Sequence, residues 1–126
     1  MTRYVFAGCW RLLVSAVLGV VFAAGVTADE KEEDKDKPKE VICQKYQFLV
    51  NGKEQALTIR VGESVVWVNK DKVEHTATSD EGSNVKFDEK IPKEGKSKPV
   101  KFTKAGTFKY HCKPHEDMVG SIVVKE

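Results

Sequence analysis

Soft metal donors are scarce in this chain of 126 residues: three cysteines, three histidines and two methionines, one of them Met1. No tract of clustered Met and His is present that would load and release metal ions. Net charge is scarce as well. The formal total is +2, and the charges past residue 28 cancel. A nucleic-acid-binding protein normally shows a clustered basic excess, so no nucleic-acid partner is expected. Long apolar runs are few. The longest, Leu12–Val26, has fifteen residues, short of the roughly 20 that a spanning helix needs. Helical periodicity is missing beyond Val41, where no ten-residue stretch carries a 3.6-residue apolar repeat. A multidomain enzyme has no room here. Past residue 40 the chain holds 86 residues, a core that is marginal on burial alone and often gains from a metal or a disulfide.

What is present falls into three segments. Residues 1–28 carry Arg3 and Arg11 and no acid, then the apolar run, then Val26-Thr27-Ala28. This is the pattern of a secretory signal peptide cut after Ala28, and export to the periplasm or another extracytoplasmic space is expected. An uncleaved signal anchor is the alternative and the only route to a membrane contact. Residues 29–40 read DEKEEDKDKPKE, with seven acids against four lysines. Nothing there can bury, so a charged, disordered linker is expected. Residues 41–126 form the folding unit.

That unit reads as all-β. Short stretches rich in Val, Ile, Phe, Tyr and Trp alternate with turn signals. Strands are expected at Val41–Val50, Ala56–Val61, Val65–Asn69, Glu74–Ser79, Val100–Phe102, Thr107–Cys112 and Gly120–Lys125. Asn51-Gly52 is a strong tight-turn dipeptide. The stretch from Phe87 through Gly95 reads as irregular. Six to eight short strands imply an antiparallel sandwich.

The chemistry concentrates near the C-terminus. Along Thr107–Cys112 the alternation of a strand puts Phe108, Tyr110 and Cys112 on one face, the inner one, and His111 on the other. The chain then reads KPHEDMVG, so His115 follows Cys112 by three residues and Met118 follows His115 by three. Such a short loop converges a thiolate, an imidazole and a thioether. A further donor must come from elsewhere. With His111 turned away, His75 remains. A His₂Cys plane with a weak axial Met is the donor set of blue-copper sites, since thiolate and thioether suit Cu(I) and imidazole suits both oxidation states.

Residues 56–126 resemble a cupredoxin, a type 1 blue copper protein of the plastocyanin, amicyanin and pseudoazurin group. The resemblance rests on VGESVVWVNKD (61–71), EHTAT (74–78) and GTFKYHCKPHEDMVGSIVV (106–124). The C-x-x-H-x-x-M spacing is shorter than the plastocyanin loop and similar to the compact loop of amicyanin. The resemblance implies a Greek-key sandwich holding one copper ion under the loops at one end, with His75, Cys112, His115 and Met118 as ligands. It also implies an electron carrier rather than an enzyme, working between a redox protein donor and acceptor, and a monomer. A module for copper storage, delivery or sensing is the alternative.

Two positions depart from the family pattern. Thr76 stands where relatives often have the Asn that ties two ligand loops together, and its hydroxyl is the expected substitute. Lys113, Glu116 and Asp117 place charge where relatives often present an apolar ring. Other readings weigh against these. Cys43 and Cys112 are candidates for a disulfide, although Cys43 reads as a small buried core residue. Cys112 and His115 are candidates for a nucleophile–base pair, but Met118 would then have no role. Zinc suits the same residues apart from the thioether, a poor zinc ligand. Trp67 reads as core. The lysines between 86 and 109 read as a solvated face.

Overall fold

The structure, a computed structural model, describes residues 36–126. The expected signal peptide and residues 29–35 of the expected linker lie outside the described residues.

Among the described residues there are nine strands and no helix. They are β1 (Lys39–Gln44), β2 (Gln47–Leu49), β3 (Leu57–Arg60), β4 (Ser64–Asn69), β5 (His75–Ser79), β6 (Asp88–Ile91), β7 (Val100–Lys101), β8 (Gly106–Cys112) and β9 (His115–Lys125). One sheet runs β2-β1-β4-β7 and the other β3-β9-β8-β5-β6. This is the expected all-β sandwich, with three corrections.

The strands number nine, above the expected six to eight. Val41–Val50 is a hairpin rather than one strand, because the chain reverses at Lys45 and Tyr46, both at positive φ. Asp88–Ile91, expected to be irregular, forms β6 against β5. Its sequence, DEKI, is polar on an edge strand that buries only Ile91 fully. The sheets are also mixed rather than purely antiparallel. β1 runs parallel to β4, with Val41 opposite Trp67, and β3 runs parallel to β9, with Leu57 opposite Ile122. Finally, β1 begins at Lys39, inside the segment expected to be linker. Lys39 and Glu40 pair with Val65 and Val66 through their backbones. The Glu40 side chain stays at the surface and accepts a hydrogen bond from Lys96 Nζ at 2.7 Å.

The core lies between the sheets and is aromatic. Phe48 of β2 and Trp67 of β4 meet Tyr110 of β8 at ring-centroid distances of 4.8 and 5.4 Å. Phe87 stacks on Trp67 at 5.5 Å, and Phe102 links Phe87 to Phe108. Trp67 is fully buried, as expected of a core residue. Along β8 the burial alternates as the sequence implied, with Phe108, Tyr110 and Cys112 inward. This packing holds β8 rigidly and fixes the end of the strand where Cys112 sits.

Candidate metal centre

β9, β8 and β5 are neighbours in one sheet. Cys112 ends β8, His115 begins β9 and His75 begins β5, so three donor residues lie at one end of three adjacent strands. Only Lys113 and Pro114 separate Cys112 from His115, which pair directly. The register then jumps: His111 pairs with Val119, although Cys112 pairs with His115. Glu116, Asp117 and Met118 are therefore surplus on β9, a bulge of the kind that re-aims side chains. Glu116 and Asp117 turn to solvent, whereas Met118 is 1% exposed and packs in the core.

The donor atoms converge. His75 Nδ1 and His115 Nδ1 are 3.2 Å apart, and Cys112 Sγ lies 3.7 Å from the first and 3.3 Å from the second. Among the described residues, this is the one group of three His, Cys, Asp or Glu side chains arranged to hold a metal ion. Three donors in a plane around a metal, bonded at about 2.0 Å to nitrogen and about 2.3 Å to sulfur, stand about 3.5 and 3.7 Å apart. The observed triangle is close to that size. Copper fits these donors: two imidazoles and one sulfur face a common point, and the sulfur is cut off from solvent.

Each donor is held from behind. The Thr76 N–H donates to Cys112 Sγ at 3.3 Å. Thr76 Oγ1 accepts the Lys113 N–H at 2.9 Å, so the hydroxyl does tie together the two segments that carry His75 and Cys112. Thr78 Oγ1, 3.2 Å from Thr76 Oγ1, donates to Asp88, which also pairs with Lys113 Nζ. The Lys113 ammonium holds the Asp88 carboxyl below its usual range, with Thr78 assisting. Thr76→Val keeps the backbone donor to sulfur but strands the Lys113 amide. We expect a loss of about 1 kcal/mol, seen as a melting point lower by about 4–8 °C, with metal binding retained.

His75 is fully buried, and its Nε2 lies 2.9 Å from Asp71 Oδ2. Asp71 is positioned by Asn69. The buried Asn69 carboxamide accepts the Asp71 N–H and donates to the carbonyls of Val73, Ile91 and Pro92. Neither residue stood out in the sequence. The available signal was an acid four residues before a candidate ligand histidine. His115 is half-buried, and Tyr46, 51% exposed, sets its ring edge-on to His115 at 4.9 Å and to His75 at 5.7 Å. Tyr46 thus adds an aromatic surface beside the charged loop residues, which sequence reasoning missed.

The competing readings fare poorly. Cys43 and Cys112 are both free and buried. Burial pushes the Cys43 thiol up, with Cys112 and Asp71 adding to the effect, so Cys43 is an inert core residue. The Cys112 sulfur is fully buried. His111 points away from Cys112, with its Nδ1 2.7 Å from Asp80 Oδ1.

The model of a family described as copper binding proteins, plastocyanin/azurin family, matches residues 49–125. The chain belongs to the plastocyanin/azurin family of copper binding proteins. Copper is thus the metal for this centre. An amicyanin from Paracoccus denitrificans is 35% identical over 71 residues, covering 55% of this chain and 54% of that protein. A plastocyanin from Scenedesmus fuscus is 35% identical over 80 residues, covering 56% of this chain and 82% of that protein. The chain thus spans about half the length of the first and most of the second. The crystal structure of amicyanin from Paracoccus versutus superposes with a TM-score of 0.58 at 28% identity, covering 71% of this chain and 82% of that one. The Cu(I) form of an amicyanin mutant gives 0.59 at 31% identity, covering 74% and 87%. The family match begins at Leu49, after the β1–β2 turn that carries Tyr46.

Proposed function

We propose that the chain is an exported type 1 (blue) copper protein that passes single electrons from a reduced redox protein to an oxidised one. The observation that carries this reading is the convergence of His75 Nδ1, Cys112 Sγ and His115 Nδ1 at the end of three neighbouring strands. Copper supplies the one-electron Cu(II)/Cu(I) couple. In this reading Cys112 is the thiolate ligand, and its Sγ accepts the Thr76 N–H. His75 is the buried imidazole, and half-buried His115 is the side through which the electron enters and leaves. Met118, buried within the bulge, would be the weak fourth donor.

The architecture supports electron transfer over catalysis. The donors hang from a sheet whose core is packed with aromatic rings, so they shift little when the charge at their centre changes. With Met118 as the fourth donor, the protein would fill the coordination sphere and leave no open position for a substrate. Residues 1–28 act as the export signal in this reading, and the chain works as a monomer outside the cytoplasm.

The test is an optical and EPR spectrum of the protein loaded with Cu(II). Intense visible absorption from a thiolate–copper bond, with a narrow copper hyperfine splitting, is expected. A colourless copper adduct would defeat the reading. Ready transfer of Cu(I) to an acceptor, with slow self-exchange of electrons, would move it to copper delivery.

A further inference from the structure

The turn between β1 and β2 is chemically unsuited to its shape. Gln44 pairs with Gln47, so Lys45 and Tyr46 form a two-residue hairpin loop with φ of 54° and 59°. Such loops favour Asn-Gly or Asp-Gly, because both central residues take the left-handed conformation, which crowds a side chain against the backbone. Val50–Lys53 makes the same kind of turn with the suited pair, Asn51-Gly52. A strained conformation persists only where its surroundings over-determine it.

Here the surroundings are one carboxylate from 25 residues away. Asp71 Oδ1 accepts the Lys45 N–H at 2.8 Å, and Asp71 Oδ2 accepts the Tyr46 N–H at 3.1 Å. The same Oδ2 lies 2.9 Å from His75 Nε2. The Asp71 backbone is anchored at both ends: its N–H donates to Asn69 Oδ1 at 2.8 Å, and its carbonyl accepts the Glu94 N–H at 3.1 Å.

Resting on the blue-copper reading above, we propose that Asp71 is a positioning residue that ties the redox site to this turn. By accepting from Nε2–H it fixes His75 as an Nδ1 donor and places a negative charge directly behind that imidazole. By clamping the Lys45 and Tyr46 amides it seats the Tyr46 ring over both histidines. A carboxylate partner raises the basicity of a metal-bound imidazole, and a more basic donor favours Cu(II) over Cu(I). Asp71 therefore lowers the reduction potential, and the Tyr46 ring limits water at the His115 side.

The variants are Asp71→Asn, which keeps the shape but removes the charge, and Asp71→Asn with Lys45→Asn, which restores a residue suited to the left-handed turn. Loss of such an outer partner commonly costs about 10–100-fold in metal affinity. We expect the ratio of Cu(II) to Cu(I) affinity to fall about tenfold in Asp71→Asn, a potential higher by about 59 mV for one electron. Both variants retain the thiolate–copper absorption. Lys45→Asn recovers melting temperature but not potential, since a better turn does not replace the missing charge. In the metal-free full-length protein, ring-nitrogen NMR of His75 is expected to show the proton on Nε2, coupled to the Asp71 carboxylate and lost or weakened in Asp71→Asn.

The outcomes separate cleanly. A wild-type chain without the thiolate–copper band would sink the functional reading. A wild-type chain with that band, and a potential that Asp71→Asn leaves unchanged, would overturn the inference alone. So would a His75 proton on Nδ1 in the metal-free protein, or a potential restored together with stability by Lys45→Asn.

Discussion

Cys112→Ser is expected to lose the intense visible absorption completely, while Cys43→Ala keeps it. Both cysteines are free, both are fully buried and both end up near the same end of the sandwich core, so burial alone does not distinguish them. Geometry does. Cys112 Sγ lies 3.3 and 3.7 Å from two imidazole nitrogens and accepts the Thr76 amide. Burial pushes the Cys43 thiol up and holds it neutral, and a neutral thiol is not a metal ligand. Serine preserves the size of Cys112 but offers a hydroxyl that stays protonated. The charge-transfer band disappears for that reason, and copper affinity falls by more than the roughly 10–100-fold that loss of an outer-shell partner costs. The measurement is a copper titration followed optically, with the metal-free melting curve of each variant as the folding control. A Cys112→Ser protein that stays intensely coloured would remove the thiolate from the site. A Cys43→Ala protein that loses its colour would put the second thiol into it.

Much of the cluster was legible because two of its three residues are close in sequence. Cys112 and His115 flank one hairpin turn, where spacing alone restricts how far apart they end; Met118, three residues on, lies in the bulge. His75 was reachable because the chain has only three histidines and strand alternation turns His111 away. The supporting shell was less legible, since it is built across long sequence separations. Asp71 reaches back to Lys45 and Tyr46, and Asn69 reaches ahead to Ile91 and Pro92. Local pattern carries no trace of such contacts. The two hairpin turns make the same point. Asn51-Gly52 announces itself because its own residues tolerate positive φ, whereas Lys45-Tyr46 is held there by a carboxylate from another loop. The parallel pairings of β1 with β4 and β3 with β9 were hidden for a related reason: each strand's pattern shows which face is buried, not which neighbour runs alongside it.

Gly120→Ala is expected to cost about 3 kcal/mol, at the upper end of what overpacking a core commonly costs. Gly120 lies opposite Tyr110 in the β8–β9 ladder. A Cβ added there would overlap the Tyr110 ring at Cζ and the hydroxyl. The ring has no room to withdraw, because Phe48, Trp67 and Phe87 surround it at centroid distances of 4.8, 5.4 and 6.1 Å. Burial also holds its hydroxyl protonated, pushing its ionisation upward. A compatible Gly→Ala change stabilises by about 0.4–1 kcal/mol through the unfolded chain, and the backbone at Gly120 is not left-handed, so conformation alone would favour alanine. The overlap is the larger effect and sets the sign. At about 4–8 °C per kcal/mol for a domain of this size, the melting point falls by roughly 12–24 °C. Tyr110→Leu in the same chain removes the overlapping atoms, so the double variant is expected to be more stable than the sum of the two single losses by at least about 1 kcal/mol, a coupling normal for touching residues. Ser121→Ala, one position along and off that face, shifts the curve little. Additive losses at 110 and 120 would show that the ring is not what excludes a side chain from Gly120. The same packing would then not be what holds β8, and Cys112 at its end, in place.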